Sequence, residues 1–356
     1  MREKSALALI LTTAATYIGT VVGAGFASGQ EVLQFFGLLG PRGLPAIGLT
    51  VAGFFIFGYA VMETGRRIGA DSHLPVLRET SGRLLSPVLD FVITFFLFGA
   101  YSAMVAGAGS VLNQEFNIPW IAGAGAIAAV TLVTVIFGLS GVVSAVSAVV
   151  PFLLAGVLIV SIAVLYSRGL TLGTPPPEVK PVVTTWPAAG LTYISYNVIM
   201  STPVLAVLGT TLKDRKQVTA ATLLGALGLG IALTLVFLSI VSSFPDVVTY
   251  EVPMARLAGT VHRLGSPFYT VIFLAEVYTT AVANLYGFAI RLAPGDTPAF
   301  KLTATLSSVV GVWAASAGFS NLVRVVYPLV GWAGSVFLVA LSVYLLTGLR
   351  KSRRRR

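Results

Sequence analysis

The sequence predicts an all-α integral membrane protein of ten transmembrane helices, arranged as two inverted repeats of five helices each. Hydrophobic residues make up 56% of the 356-residue chain and charged residues only 10%, with a mean hydropathy of +0.90, whereas a soluble domain carries about 25% charged residues. Ten apolar segments follow one another along the chain, and a proline-rich segment divides them into two sets of five. This composition excludes an ordinary soluble enzyme, a disordered protein and a nucleic-acid-binding protein.

The ten spans follow from length, because a helix needs about 20 mostly apolar residues to cross a bilayer. The predicted spans are residues 5–37, 41–65, 87–113, 119–138, 141–167, 186–210, 216–243, 265–291, 299–317 and 320–348. The first span begins after a charged N-terminus and contains a sequence typical of a signal-peptide cleavage site, but its apolar run continues and nine more spans follow. We therefore interpret it as a retained helix.

The positive charges predict the orientation in the membrane. If the N-terminus is cytoplasmic, 17 of the 23 Lys and Arg residues fall on the inside, including most of the basic tail 349–356. The six on the outside are Arg42, Arg168, Lys180, Arg256, Arg263 and Arg324. The positive-inside rule then places both termini in the cytoplasm of a multi-pass protein of the cell membrane. Attraction of the tail to anionic lipid is the alternative interpretation.

The chain forms one transmembrane domain, 1–356, made of two halves of equal length. The first half covers 5–167, the outer linker 168–185 contains three consecutive prolines, and the second half covers 186–348. Because five spans are an odd number, the second half enters the membrane from the opposite face, as in the inverted repeats of many secondary transporters. Segments 66–86 and 245–264 mix apolar and charged residues, as interfacial helices do.

The first span of each half contains residues that interrupt a helix. Residues 19–29 (GTVVGAGFASG) hold four glycines, and residues 193–203 (YISYNVIMSTP) end in Pro203. Glycine costs about 1 kcal/mol relative to alanine in a helix interior and proline about 3. We therefore expect the first and sixth helices to be broken. The alternatives are close helix packing through Gly25 and Gly29 and a simple kink at Pro203.

The motif GAGFASGQEV at residues 23–32 resembles the YkvI-type bacterial membrane proteins, which are related to the amino acid–polyamine–cation transporters of the LeuT fold. The unwound first helix of LeuT-type proteins has the pattern G-N-A-V-G-L-G-N, and residues 19–26 here are GTVVGAGF. Three glycines and one valine are shared. Thr20 and Phe26 replace the two asparagines, and the loss of the second one puts one of the two sodium sites of that family in doubt.

The resemblance implies a substrate site between the first, third, sixth and eighth spans. Amide groups freed around an unwound turn suit a substrate carboxylate, as does the positive end of the helix that follows. The candidate substrate-binding residues are Gly23, Ala24, Gly25, Tyr101, Ser195 and Asn197. Packing is the alternative role for Tyr101, and repair of the backbone at a break is the alternative for Asn197.

The resemblance also implies one Na⁺ site between the first and eighth spans. Its ligands would be the carbonyls of Gly19 and Val22 and, at i, i+3 and i+4 on the eighth span, Glu276, Thr279 and Thr280. Alternatively, the threonines bond to their own helix, and the Glu276 side chain carries a proton.

An outer gate between Glu31 and Arg324 is a further expectation. LeuT-like transporters place an opposite-charge pair between the first and tenth spans, and a lone buried charge is costly. The signs are reversed in this chain, where the first span carries the acid and the tenth the base.

These features predict a secondary active transporter of a small solute, an amino acid or a related amphoteric compound. Na⁺ is the expected coupling ion and H⁺ the alternative; no cofactor is expected. The sequence has no Walker A motif, no HExxH and no lysine or histidine in the interior of a span, so neither ATP-driven transport nor an intramembrane enzyme is indicated. A solute-gated channel or a non-transporting sensor is the alternative. The expected partners are the bilayer and the solute, not nucleic acid; a monomer is compatible with this architecture, and the oligomeric state stays open.

Overall fold

The computed structural model describes residues 6–137, 139–295 and 297–353, and it contains helices and no strand in these ranges. The predicted cations Arg2 and Lys4 and residues 354–356 of the basic tail lie outside the described residues. The helices are α1 (Ala6–Val21), α2 (Ala24–Ala27), α3 (Gln30–Phe35), a 3₁₀ helix (Gly37–Arg42), α4 (Gly43–Ile68), α5 (His73–Phe116), α6 (Trp120–Ile136), α7 (Leu139–Arg168), α8 (Trp186–Thr210), α9 (Arg215–Val241), α10 (Pro253–Val261), α11 (Gly265–Leu292), α12 (Pro298–Ala315) and α13 (Phe319–Arg353).

Every predicted apolar span coincides with one or more of these helices. Six helical stretches of the described residues are long and apolar enough to cross a membrane: Gly37–Ile68, His73–Phe116, Trp186–Thr210, Arg215–Val241, Gly265–Leu292 and Phe319–Thr347. Three shorter apolar helices add Ala6–Val21, Trp120–Ile136 and Phe152–Arg168. The protein is therefore an all-helical, multi-pass membrane protein.

The first span is interrupted, as its glycines predict. Helix α1 ends at Val21, Val22 and Gly23 leave the helical conformation, and α2 provides only one turn before Gly29 at φ +80°. A side chain is strained at a positive φ, and a Cβ on Gly29 would lie 2.9 Å from Met254 Cγ. Glycine is thus required at this second bend of the segment that joins α1 to α3.

The predicted break in the sixth span is wrong, because α8 runs from Trp186 to Thr210 without interruption. Pro203 cannot donate a backbone hydrogen bond. Nearby polar side chains bond to the same stretch of backbone: Ser201 and Thr202 both donate to the Val198 carbonyl, at 3.2 and 2.6 Å. The carbonyl that Pro203 leaves without its helical donor is that of Ile199, and contacts with neighbouring helices allow proline to stay inside a transmembrane helix.

Helix α8 is held at very short range by a helix on each side. A Cβ on Gly65 of α4 would lie 2.1 Å from the Ala206 carbonyl oxygen, and one on Gly209 would lie 2.0 Å from the Met62 carbonyl oxygen. On the other side, a Cβ on Gly331 of α13 would lie 2.4 Å from Thr192 Cγ2. Small residues permit such close approach of membrane helices. This packing fixes α8 beside the interrupted segment.

Charged groups join α5 to the end of α11. Arg291 donates to the Asp90 carboxylate and, at 3.2 Å, to the Thr94 hydroxyl. The His73 ring lies 2.9 Å from both Asp90 and Arg291. The first turns of α5 are set at an angle to the rest of the helix by Gly82, at φ +76°, and this charged group ties them to α11.

Candidate functional site

The site is built around the interruption between α1 and α2. The Gly23 amide donates to the Val21 carbonyl at 3.1 Å instead of to Gly19, so the Gly19 carbonyl loses its helical donor. The first amides of α2, from Ala24 onward, have no acceptor within their own helix, as at any helix start. A Cβ on Gly23 would meet nothing within 4 Å, so open space adjoins the interruption here.

The Glu31 side chain folds back from α3 onto the interruption. A Cβ on Gly25 would lie 1.9 Å from Glu31 Oε1. The carboxylate can therefore lie here only because residue 25 has no side chain. Glu31 is only 4% exposed. Its other oxygen, Oε2, accepts hydrogen bonds from the hydroxyls of Tyr196 and, at 3.4 Å, Tyr193. The first span, through α3, and α8 therefore meet at one buried carboxylate and two phenol hydroxyls.

Seven aromatic rings surround this contact, and we call them the aromatic cluster. Tyr193 and Tyr196 lie 5.2 Å apart between ring centroids. Tyr196 lies 5.3 Å from Tyr327 of α13. The other members approach these tyrosines from α3, the residue after it, α4 and α5: Phe35, Phe36, Phe54 and Phe96. Five separate parts of the chain thus meet at Tyr193 and Tyr196, the two residues that donate to the Glu31 carboxylate.

The structure does not bring the two residues of the expected gate together. Arg324 is exposed, whereas Glu31 is buried against the two tyrosines. No salt bridge between described residues includes either side chain. A contact between them requires a different conformation of the chain, and the gate stays a prediction.

Three of the predicted substrate-binding residues have partners away from the interruption. The Tyr101 hydroxyl lies 2.8 Å from Ser308 Oγ on α12. Ser195 donates to the Gly331 carbonyl of α13 at 2.6 Å, and Asn197 donates to the Tyr193 carbonyl of its own helix at 2.9 Å. The Asn197 side chain thus bonds to backbone, which is the alternative role given for it in the sequence analysis, although α8 has no break there. Gly23, Ala24 and Gly25 are at the interruption itself.

The predicted ion ligands of α11 lie together, around the Glu276 carboxylate. Thr280 donates to Oε1 at 3.1 Å, and Thr279 lies 3.4 Å from Oε2 and 3.0 Å from the Glu276 carbonyl. No hydrogen bond of the described residues joins this trio to Gly19 or Val22. Helix α11 does reach the interrupted segment through Tyr269, which donates to the Ala27 carbonyl at 2.5 Å.

Tyr193, Tyr196 and Tyr327 are not identified from the sequence, although the first two donate to Glu31 and the third packs on Tyr196. For two of them, the spacing in the sequence could have indicated a shared role. Tyr193 and Tyr196 are three residues apart and lie on one face of a helix, which differs from the face of Ser195. A buried acid on another span needs donors, and phenols provide them.

Comparison with known proteins gives two relatives that match over nearly the whole chain. The protein YyaD of Bacillus subtilis (strain 168) is 30% identical over 331 residues, which are 92% of this chain and 94% of YyaD. The membrane protein YkvI of the same organism is 28% identical over 328 residues, which are 91% of this chain and 93% of YkvI. Both are named as uncharacterized. No protein-family model matches the chain.

Solved structures with the same fold include two transporters. A manganese transporter from Eremococcus coleocola superposes with a TM-score of 0.56 at 15% identity, over 96% of this chain and 77% of that one. Mhp1 in its inward-facing conformation gives a TM-score of 0.55 at 15% identity, over 98% of this chain and 77% of that one. Mhp1 is a nucleobase-cation-symport-1 family transporter. The chain belongs to the YkvI-type family of bacterial membrane proteins, and its fold is that of the LeuT-fold transporters.

Proposed function

We propose that the protein is a secondary active transporter that moves a small amphoteric solute, an amino acid or a related compound, by alternating access. The observation that carries this proposal is the interrupted first helix, with open space beside Gly23 and the Glu31 carboxylate laid against Gly25. Interrupted helices place unpaired backbone groups next to a solute at the centre of such carriers. The transporters among the structural neighbours support the same function at the level of the fold.

We further propose ten spans in a five-plus-five inverted repeat, with both termini in the cytoplasm. The packing supports the repeat, because helices at the same position in the two halves pack against helices that also correspond to each other. Helix α1 packs on α9 as α8 packs on α4; α5 packs on α6 and α13 as α11 packs on α12 and α7. The excess of Lys and Arg in the inner segments supports the orientation.

Na⁺ is the proposed coupling ion, bound between the first helix and α11. The Gly19 carbonyl has lost its helical donor, and the Thr279 and Thr280 hydroxyls lie together at Glu276. Neutral carbonyl and hydroxyl oxygens, with one carboxylate nearby, suit a hard monovalent cation. H⁺ carried by the Glu276 side chain is the alternative, since an ionisable group at membrane depth is usually functional.

The test is solute counterflow in proteoliposomes. A thermal-shift screen over amino acids, amines and nucleobases, with and without Na⁺, first selects the solute, which is then used in labelled form. We expect saturable exchange of labelled for unlabelled solute. Solute-dependent ion current without saturation would instead identify a channel. Saturable binding with no exchange would identify a sensor, and either result would overturn the proposal.

A further inference from the structure

The Glu31 carboxylate is buried and has no positively charged partner within the described part of the chain. Its hydrogen-bond donors are the neutral hydroxyls of Tyr193 and Tyr196, and none of the described salt bridges includes it. Burying a carboxylate in its charged form is expensive unless a cation pairs with it. Charge compensation for Glu31 therefore has to come from a proton or from a cation that is not part of the protein.

The aromatic cluster adjoins the Glu31 carboxylate through the hydroxyls of Tyr193 and Tyr196, so a cation that reaches this carboxylate also comes close to these rings. The face of an aromatic ring attracts ammonium and quaternary nitrogen, and several rings together bind them in aromatic cages. Tyr193, Tyr196 and their neighbours place their centroids between 4.8 and 6.2 Å from one another. The cation–π pairs of the described residues, Arg215 on Tyr59 and Arg256 on Tyr250, lie elsewhere. No described lysine or arginine thus occupies the faces of the cluster.

Two glutamine oxygens on the same helix as Glu31, α3, also lack donors. Gln30 Oε1 and Gln34 Oε1 are buried, and neither has a hydrogen-bond partner among the described residues; Gln30 is only 1% exposed. Such buried polar atoms are rare and call for an explanation. An ammonium group has up to three donors and no acceptor, so it complements a segment rich in unpaired oxygens. A carboxylate does not.

From these observations we infer that Glu31 and the aromatic cluster bind the positively charged nitrogen of the solute. The substrate class is then organic amines and ammonium compounds, amino acids included, and a positive nitrogen is required whereas a carboxylate is not. The inference rests on the proposed function in taking the interrupted first helix as the solute site. An anion at Gly25 is disfavoured, because the Glu31 carboxylate already lies there.

The test compares probes that share one carbon skeleton. Leucine, isopentylamine (leucine without its carboxylate) and 4-methylpentanoate (leucine without its amine) are titrated into the purified protein, alongside choline, tetramethylammonium and putrescine. Binding is read as a shift in melting temperature at fixed Na⁺ and pH. We expect a saturable shift with one or more of the positively charged probes and none with 4-methylpentanoate. Binding of the acid with no binding of any amine, or no binding by the whole panel, would overturn the inference.

Two variants link the cation to Glu31. Glu31→Gln keeps an oxygen for the tyrosine hydroxyls but removes the charge, so we expect the half-saturating concentration of the cation to rise at least about 30-fold. Glu178→Gln, which changes an exposed carboxylate in the outer linker, is the matched control and leaves that concentration unchanged. Unaltered cation binding in Glu31→Gln would contradict the inference even if the cation binds the wild type.

The role of the rings is tested separately at Tyr196. Tyr196→Phe keeps the ring and loses only the hydroxyl, whereas Tyr196→Leu loses the ring as well. We expect Tyr196→Leu to weaken cation binding several-fold more than Tyr196→Phe; equal effects would exclude a part for the ring face. Counterflow separates the two proposals: cation binding without exchange refutes the carrier, and exchange of a solute with no positive nitrogen refutes the recognition of a cation.

Discussion

At the scale of single residues, the sequence predicts where the first span is interrupted but not which side chains contact that segment. The glycines of residues 19–29 predict an interruption, and the structure has it at Val22 and Gly23. Glu31 was assigned to a distant arginine, because a search by charge pairs it with Arg324. The structure pairs it with phenols instead. Which way a side chain turns at an irregular backbone depends on φ and ψ at Gly29, and residue spacing does not give those angles.

The contact between Gly25 and Glu31 makes a first prediction. In Gly25→Ala the new Cβ collides with the carboxylate, and we expect destabilisation of about 1–3 kcal/mol, as for other overpacked sites. The double variant Gly25→Ala with Glu31→Ala removes the colliding group, so its melting temperature should equal that of Glu31→Ala alone. Gly23→Ala is the steric control, because its Cβ meets nothing within 4 Å and φ at Gly23 is −105°.

Thermal unfolding followed by intrinsic fluorescence measures all four variants. If Gly25→Ala lowers stability as much in the Glu31→Ala background as in the wild type, Gly25 and Glu31 are not in contact. Such additivity is the usual result for residues that do not interact.

At the scale of elements, the apolar helices were predictable because apolar length is a strong signal in a membrane protein, whereas helix continuity was not. Pro203 predicts a break in α8 by its intrinsic cost. Ser201 and Thr202 stand directly before it and bond to the Val198 carbonyl. Neither bonds to the Ile199 carbonyl, which is the one that Pro203 leaves without a donor. Helix α8 nevertheless continues, packed on α4 and α13, so the intrinsic cost of one proline did not decide whether the helix breaks.

The pairing of α4 with α8 makes a second prediction. A Cβ on Gly209 would lie 2.0 Å from a backbone oxygen of α4, so Gly209→Ala has to push the two helices apart. We expect a loss of stability of at least about 1–3 kcal/mol, measured as a lower melting temperature in detergent. Gly48→Ala, in an exposed position of α4 with nothing within 4 Å, should be neutral or stabilising by up to about 1 kcal/mol.

A graded variant keeps this prediction testable if Gly209→Ala does not fold. At Gly53 the atoms nearest to the new Cβ, from 2.4 Å, belong to the side chain of Ile194, and a side chain yields more readily than a backbone carbonyl of a packed helix. Gly53→Ala should therefore destabilise less than Gly209→Ala and more than Gly48→Ala. Any other order would mean that the close approach of α4 and α8 does not limit stability.

At the scale of the whole molecule, two halves of equal length separated by a proline-rich linker predict the inverted repeat, and the matched packing of α1 on α9 and α8 on α4 supports it. The two halves nevertheless differ at their first spans, since only the first one is interrupted in this structure. The proposed repeat therefore does not extend to the backbone conformation of these two spans, because an interruption depends on the residues of each span. In the proposed site, the interrupted backbone belongs to the first half of the chain, and Tyr193, Tyr196 and Tyr327 all belong to the second.

The proposed coupling ion concerns the whole molecule, because its site would join α11 to the first span. We expect uptake of labelled solute to follow an inward Na⁺ gradient at equal pH and not a pH gradient at equal Na⁺. Thr279→Ala with Thr280→Val removes two of the proposed ligand hydroxyls and should abolish the response to Na⁺. Thr305→Val removes a hydroxyl that bonds to its own helix, to the Lys301 carbonyl at 2.8 Å, and should leave the response intact.

Glu276→Gln decides between the ions: under the Na⁺ proposal it retains Na⁺-driven uptake, because its backbone carbonyl and the two hydroxyls remain. Uptake by the wild type that ignores Na⁺, follows the pH gradient and disappears in Glu276→Gln would refute the Na⁺ site and identify a proton-coupled carrier, since that side chain is then the group that carries the proton.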